Sequence, residues 1–322
     1  MVYEKYGTPD VLELKEVEKP VPDDNEVLVK VYAASINDWD LGLLSGDFIN
    51  RMLNGLRKPK RKILGSDIAG EIEAIGKNVN QFKPGDEVYG DLSGQWGGFA
   101  EYVCAPEKSL SLKPANMSFE EAAAIPQAAM LAVQGLIDKG NISQGQKLLI
   151  NGAGGGVGTF GIQIAKLHGA EVTGVDKGNK LEMLRSIGFD HVIDYTKEDF
   201  TKNGKVYDLI LDAKTNRSMF KYARALLRNG VYVTVGGDIF RLLQALLLAP
   251  VIRLIYKKHI RIVALKANKD LVYMNELFEK GKVKVVIDGP YQLDQLPEAF
   301  RHFGRAEHKG KIVITIGALR PN

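Results

Sequence analysis

Between Lys147 and Asp176 the chain spaces three small residues as Ala153-x-Gly155-x-x-Gly158, with Gly156 and Val157 in the gap. Small residues at these positions let the backbone turn tightly, admit a pyrophosphate against it, and pack the following helix closely on the preceding strand. The first amides of that helix then face the phosphates at the positive end of the helix dipole. The flanks agree with this reading. Lys147–Asn151 is an apolar strand, the helix carries Ile162, Ile164, Ala165 and Leu167, and a second strand, Glu171–Val175, leads into Asp176. An acid about 20 residues beyond the turn is placed to bind adenosine ribose hydroxyls. Strand, turn, helix, strand and terminal acid in this order predict a dinucleotide site.

The expected coenzyme is a nicotinamide nucleotide, NAD(H) or NADP(H). Asp176 repels a 2′-phosphate and favours NAD(H). Lys177 and Lys180 can pair with that phosphate, with Tyr195 packed beside it, and they keep NADP(H) open. The balance leans to NAD(H). Ligands of open α/β sheets bind at the carboxyl ends of strands, which adds Ala213, after Asp212, and Gly236 and Gly237, after Val231–Val235, to the expected cofactor contacts.

Elements able to hold such a site run the length of the chain. Its 322 residues are 45% hydrophobic and 25% charged, with a net charge of +4. That apolar fraction builds a full core and excludes a chain that stays unfolded. The charge is too small for a dedicated nucleic-acid binder. A single cysteine, Cys104, excludes an intramolecular disulfide and any Cys-x-x-Cys motif, and it reads as a core residue. Met1–Asp10 is polar and lacks the apolar core of a signal peptide. The longest apolar stretch, Leu242–Ile252, falls short of the roughly 20 residues that cross a bilayer. A soluble, cytoplasmic protein without a membrane span is expected.

Up to about Pro114 the pattern is β-rich. Val27–Ala34, Gly70–Ile75, Glu87–Tyr89 and Ala100–Cys104 read as short strands between glycine turns, as in a small barrel or sandwich. From Ser118 a capping box, Ser118-x-x-Glu121, opens a helix expected to continue through Leu136. Strands then alternate with helices, including Asn179–Ile187 and Met219–Leu227, which indicates βαβ units and a parallel sheet. A last block from Lys266 returns to mixed elements. The expected organisation is a doubly wound α/β domain over 121–265, inserted into a β-rich domain formed by 1–120 and 266–322.

Several motifs are similar to those of the zinc-independent quinone oxidoreductases of the medium-chain dehydrogenase/reductase superfamily, and the resemblance covers nearly the whole chain. Gly145-Gln146-x-x-Leu149 leading into Ala153-Gly154-Gly155-Gly156-x-Gly158, then Gln163 and Lys166, resembles that family's cofactor-loop signature. Leu64–Gly70 (LGSDIAG), Phe82–Val88 (FKPGDEV) and Gly97–Tyr102 (GGFAEY) resemble its catalytic-domain motifs. The resemblance implies a Rossmann domain set into a split, GroES-like catalytic domain, and a homodimer joined through the nucleotide domain. The positions similar to the catalytic zinc ligands of related alcohol dehydrogenases hold Asn37, Asp67 and, nearby, Gln127. The five histidines are scattered without ligand spacing, so no metal site is expected.

Without a Lewis acid the chemistry narrows. A simple ketone needs one to stabilise its alkoxide. A quinone or an α,β-unsaturated carbonyl delocalises the added charge, and hydrogen-bond donors suffice. Asn37 and Asp40, similar to the Asn-x-x-Asp of zinc-free members, are the candidate catalytic groups. Asn37 would donate to the substrate carbonyl or fix the nicotinamide ribose, and Asp40 would orient a neighbour or a relay water. The same pair equally suits the organisation of a turn. Lys311 is a further candidate for a cofactor contact. The reading is an NAD(P)H-dependent reductase of small quinones or enones. Its alternatives are a nucleotide-binding protein with a structural or redox-sensing role and little turnover, or a zinc-free alcohol dehydrogenase.

Two segments stand outside this reading. Arg57–Lys62, a dense basic run, is expected to be a solvated loop. Phe240–Ile255, followed by Lys257, Lys258 and Arg261, has the composition of an interfacial helix. Pro250 is expected to break any long helix there, which favours apolar packing over the substrate cleft or at a dimer interface.

Overall fold

A computed structural model of the chain describes residues 1–237 and 239–317. The chain divides into two compact units, one formed by 1–127, 267–280 and 285–322, the other by 128–266 and 281–284.

The second unit is the doubly wound domain. Six strands lie in the order His191–Asp194, Glu171–Asp176, Lys147–Asn151, Tyr207–Asp212, Leu226–Thr234, His259–Ile262. Every neighbouring pair is parallel. The order reverses between Lys147–Asn151 and Tyr207–Asp212, so the switch point of the sheet opens beside the glycine turn. Buried aliphatic side chains line the central strands, with Leu148, Leu149, Ile150, Ile210 and Leu211 all fully covered. Such continuous apolar runs are what a sheet covered on both faces requires.

The first unit is built on a sheet ordered Ile287–Gln292, Lys311–Thr315, Glu26–Ser35, Asp67–Ile75, Glu87–Asp91, Ser111–Leu112, with Tyr102–Pro106 also pairing with Glu26–Ser35. All pairs are antiparallel except the first. Its core holds Val27, Val29, Ile68, Ile72, Phe99, Phe300 and Ile312. The C-terminal block therefore completes the sheet begun by the N-terminal strands.

Local differences from the sequence reading have local causes. The helix expected from Ser118 to Leu136 is divided at Pro126, where a proline starts a new helix, and its last turn, Gln134–Lys139, is wound wider. The strand expected at Ala100–Cys104 lies at Tyr102–Pro106. The helix expected through Leu227 stops at Arg224, because Leu226 already pairs with Tyr207. Pro250 breaks nothing: one helix runs from Ile239 to Tyr256. Its ring removes one helical hydrogen bond, but Pro250 and Leu246 both lie on the exposed side, where water can take up the freed carbonyl.

Candidate functional site

The glycine turn of the second unit is built without spare room. Gly152 has φ +87, and a Cβ on Gly158 would fall 2.3 Å from the Ala153 carbonyl oxygen. Only glycine lets the helix Gly156–Leu167 approach the strand this closely. Gly155 caps that helix with no side chain over its end, and Gly155, Gly156 and Val157 are half-buried, so the first amides face outward. Below them a Cβ on Gly154 would meet the Lys180 chain at 2.7 Å. This cradle fits a diphosphate.

Asp176 is not a bare acid at the end of its strand. It is buried, its Oδ2 accepts the Gly154 N–H at 2.7 Å, and its Oδ1 accepts the Lys177 N–H at 2.8 Å. The buried Lys180 ammonium stands 3.6 Å from the same Oδ1. Tyr195 donates its backbone N–H to the Asp176 carbonyl at 3.2 Å, and its ring is 47% exposed. The four residues Asp176, Lys177, Lys180 and Tyr195 are thus brought together by two adjacent strand ends.

The carboxyl ends of the central strands carry a buried polar ring that sequence reasoning missed. Asp212 Oδ1 accepts from Asn151 Nδ2 at 2.8 Å and from the Lys214 and Thr215 N–H groups, while Oδ2 accepts from the Tyr232 hydroxyl at 2.8 Å. The Thr215 and Thr234 hydroxyls both reach the Gly236 carbonyl, at 2.5 and 2.7 Å. Gly237 has φ +124 and sits against Thr215, and Ala213 donates its N–H to the Asn151 carbonyl. Asn151, Asp212 and Thr234 each end a strand. A polar residue in the last place of an otherwise apolar strand is the signal that identifies them.

In the first unit, Asn37 follows the strand Glu26–Ser35 and caps the helix Asp38–Ser45. Asp40 turns back to accept the Asn37 N–H at 2.9 Å and also accepts the Gly65 N–H at 3.0 Å. Both of its oxygens therefore serve backbone, and it holds the turn that presents Asn37. Lys311 belongs to the first unit. Its ammonium is buried in this unit, 3.0 Å from the Ile36 carbonyl, 2.5 Å from Asn37 Oδ1 and 3.3 Å from Asp67 Oδ2. Since Lys311 takes the amide oxygen, Asn37 must point Nδ2 the other way, where it donates to Ser66 Oγ at 3.1 Å. Asp67 also accepts from Ser35 Oγ and the Gln127 N–H, and its buried Oδ1 has no hydrogen-bond partner among the described residues. The basic run Arg57–Lys62 lies apart from this cluster, with Arg61 stacked over Trp96 at 4.7 Å.

Of the positions compared above with zinc ligands, Asn37 and Asp67 thus meet an ammonium of the chain's own, and Gln127 donates its backbone N–H to Asp67. An amide and a carboxylate already engaged by a lysine do not fit zinc. Among the described residues no group of three His, Cys, Asp or Glu side chains is arranged to hold a metal.

Burial pushes the Asp40 carboxyl up to about 7, although the Asn37 and Gly65 amides oppose this. Burial likewise raises Asp67, to about 6, against the pull of Lys311. A carboxyl raised on folding adds stability below its unfolded value, and that stability is lost as pH rises toward its folded value. The Asp40→Asn variant, whatever constant cost the amide brings, is therefore expected to gain on the wild type between pH 4 and pH 6. The gain is about 1.4 kcal/mol per pH unit, read as the difference between denaturant titrations. A pH-independent difference would contradict a buried, protonated Asp40.

A family profile described as "Alcohol dehydrogenase GroES-like domain" matches residues 23–115, and one described as "Zinc-binding dehydrogenase" matches residues 187–314. The chain is 36% identical to the 2-methylene-furan-3-one reductase of Solanum lycopersicum, over 97% of its length and 77% of that protein. It is 33% identical to the "NADPH-dependent alkenal/one oxidoreductase, chloroplastic" of Arabidopsis thaliana, over 97% of its length and 78% of that protein. The quinone oxidoreductase structure from Coxiella burnetii superposes with a TM-score of 0.86 at 27% identity, covering 98% of each chain.

Proposed function

We propose that this chain, which belongs to the zinc-independent quinone oxidoreductase family of the medium-chain dehydrogenase/reductase superfamily, is an enzyme that reduces quinones and α,β-unsaturated carbonyls with NADPH. NADPH, when bound, would supply a hydride, which carries the electron pair of the reduction. The second unit holds the diphosphate on the amides of the glycine turn. Ala213, Gly236 and Gly237, at the strand ends, line the nicotinamide half of the nucleotide.

The observation that carries the reading is the pinned amide of Asn37. Lys311 and Ser66 fix its orientation, and its Nδ2 group is held between Ser66 Oγ and the Asp67 carboxyl. A preorganised donor of this kind stabilises the negative charge that develops on a carbonyl oxygen when its conjugated carbon accepts a hydride. Asp40 and Lys311 are positioning residues for it, and the proton that completes the reduction comes from solvent. The engaged Asn37–Asp67–Gln127 set supports a reaction without zinc.

NADPH is proposed over the NAD(H) expected from sequence, because both Asp176 oxygens are already engaged and Lys180 offsets the acid's charge. A homodimer is proposed through the nucleotide unit, whose terminal strand His259–Ile262 has a sheet neighbour on one side only among the described residues. A cytoplasmic location rests on composition alone.

The test is steady-state NADPH oxidation against enones, quinones and simple ketones. Turnover is expected on the first two classes. Asn37→Ala is expected to lower kcat on an enone by about 100-fold with the NADPH KM unchanged. Nucleotide binding without turnover on any acceptor would instead favour a non-enzymatic nucleotide-binding protein. Alcohol oxidation that survives chelation would favour a zinc-free alcohol dehydrogenase.

A further inference from the structure

The helix Ile239–Tyr256 is apolar on all sides, with a mean hydropathy of 1.8, yet only 11% of it is buried. One stripe, Ala245, Leu248 and Ile252, packs on the core of the second unit. At helical spacing the opposite side presents Leu243, Leu246, Leu247, Val251, Leu254 and Ile255, which are 41–74% exposed. A helix apolar all round belongs in a core or in lipid, and a contiguous exposed apolar patch of this extent marks an interaction surface.

The charge around the helix selects the partner. From Ile239 to Lys269 the sequence has seven Lys and Arg residues and no Asp or Glu. Arg253 and Lys257 are exposed at the C-terminal end of the apolar face; Lys258 and Arg261, which follow, are half-buried and donate to the Ala223 and Lys139 carbonyls. A second copy of the chain docked by a two-fold contact across this helix would set these cations against a segment with no carboxylate to meet them. An anionic bilayer surface supplies what the helix lacks: hydrocarbon for the leucines and phosphate or carboxylate headgroups for the cations. Spanning is excluded for this helix as folded. Eighteen residues extend about 27 Å at 1.5 Å each, against a hydrocarbon core of about 30 Å, and the Ala245–Ile252 stripe is committed to the protein core.

We propose that the helix Ile239–Tyr256 docks the protein on anionic membranes, lying flat with its leucine face in the headgroup–acyl boundary. The proposal goes beyond the reductase reading and does not depend on it. The test is flotation of the purified protein with vesicles of phosphatidylcholine alone or with 30% phosphatidylglycerol. Flotation is expected with the anionic vesicles, falling at least tenfold without the anionic lipid, in 0.5 M salt, and in the Leu247→Asp/Leu254→Asp variant. That variant changes only exposed side chains, and its unfolding transition should match the wild type. Two outcomes would overturn the proposal. The wild type fails to float on anionic vesicles, in which case a variant that passes from dimer to monomer in sedimentation assigns the face to a second copy; or the double variant floats as the wild type does.

Discussion

Lys311→Met is expected to destabilise the protein, through the lysine's carboxyl partner, by about 1.4 kcal/mol at pH 7, one pH unit above the Asp67 value, and the further change Asp67→Asn should recover most of that loss. The reason lies in what the ammonium leaves behind. Asp67 is fully buried on the strand Asp67–Ile75, its Oδ1 already has no hydrogen-bond partner among the described residues, and Lys311 is the cation that holds its Oδ2. Removing one partner of a buried pair leaves a charge with neither water nor counter-ion, which costs more than removing both. The coupling should therefore appear in a double-mutant cycle as a favourable interaction between the two changes.

The pH dependence gives an independent check with a definite sign. With Lys311 present, the Asp67 carboxyl sits at about 6, and without the ammonium it rises further. Below pH 6 the group is neutral in both proteins and adds nothing to their difference. Above pH 6 the wild type ionises Asp67 beside its lysine, while the variant must either hold a proton or bear an unpaired charge. The penalty on Lys311→Met thus grows as pH rises through 6, and it should vanish from the Asp67→Asn background. The single variant should also lower kcat on an enone, because the Asn37 amide loses the bond that fixes its direction. Unchanged denaturant midpoints across pH 5–8 would show that Lys311 and Asp67 are not coupled in this way.

The two halves of the candidate site differ in how far the sequence reveals them. The glycine turn is legible because its requirements are local. Gly158 must be small for a reason contained in the six residues from Ala153, and the flanking strand and helix are continuous with it. The doubly wound order follows from the same regularity. The Lys311 cluster is not legible in that way. Its members come from positions 37, 67 and 311, brought side by side only when Lys311–Thr315 pairs with Glu26–Ser35 and that strand pairs with Asp67–Ile75. Sequence reading therefore offered Lys311 as a candidate cofactor contact without seeing its partners, and it weighed Asp67 only as the position of a missing metal ligand. Pro250 shows the converse limit. Its local rule is sound, but the rule counts a lost hydrogen bond without knowing whether water can replace it.

Lys180→Ala is expected to change the NADPH-to-NADH preference, as a ratio of kcat/KM values, on the order of 10². An acid that selects NADH must present free oxygens to the two ribose hydroxyls. Asp176 is already engaged: each oxygen accepts one amide N–H, from Gly154 and Lys177, and the Lys180 ammonium faces Oδ1. The wild-type arrangement therefore lets Lys180 offset the acid's charge and offer a cation, with Lys177 and Tyr195, to a 2′-phosphate. Deleting the lysine acts on both coenzymes. NADPH loses a charge-assisted contact worth about 1.5–3 kcal/mol and meets an uncompensated carboxylate. NADH loses no such contact, and its ribose meets an acid freed of its ion pair. The effect should fall on KM rather than kcat, since nothing at position 180 reaches the reacting carbon. If the variant raises the two KM values equally, Lys180 is only a structural partner of Asp176. A wild type that already prefers NADH would mean that the acid dominates despite its engaged oxygens, as its position at the strand end alone implies.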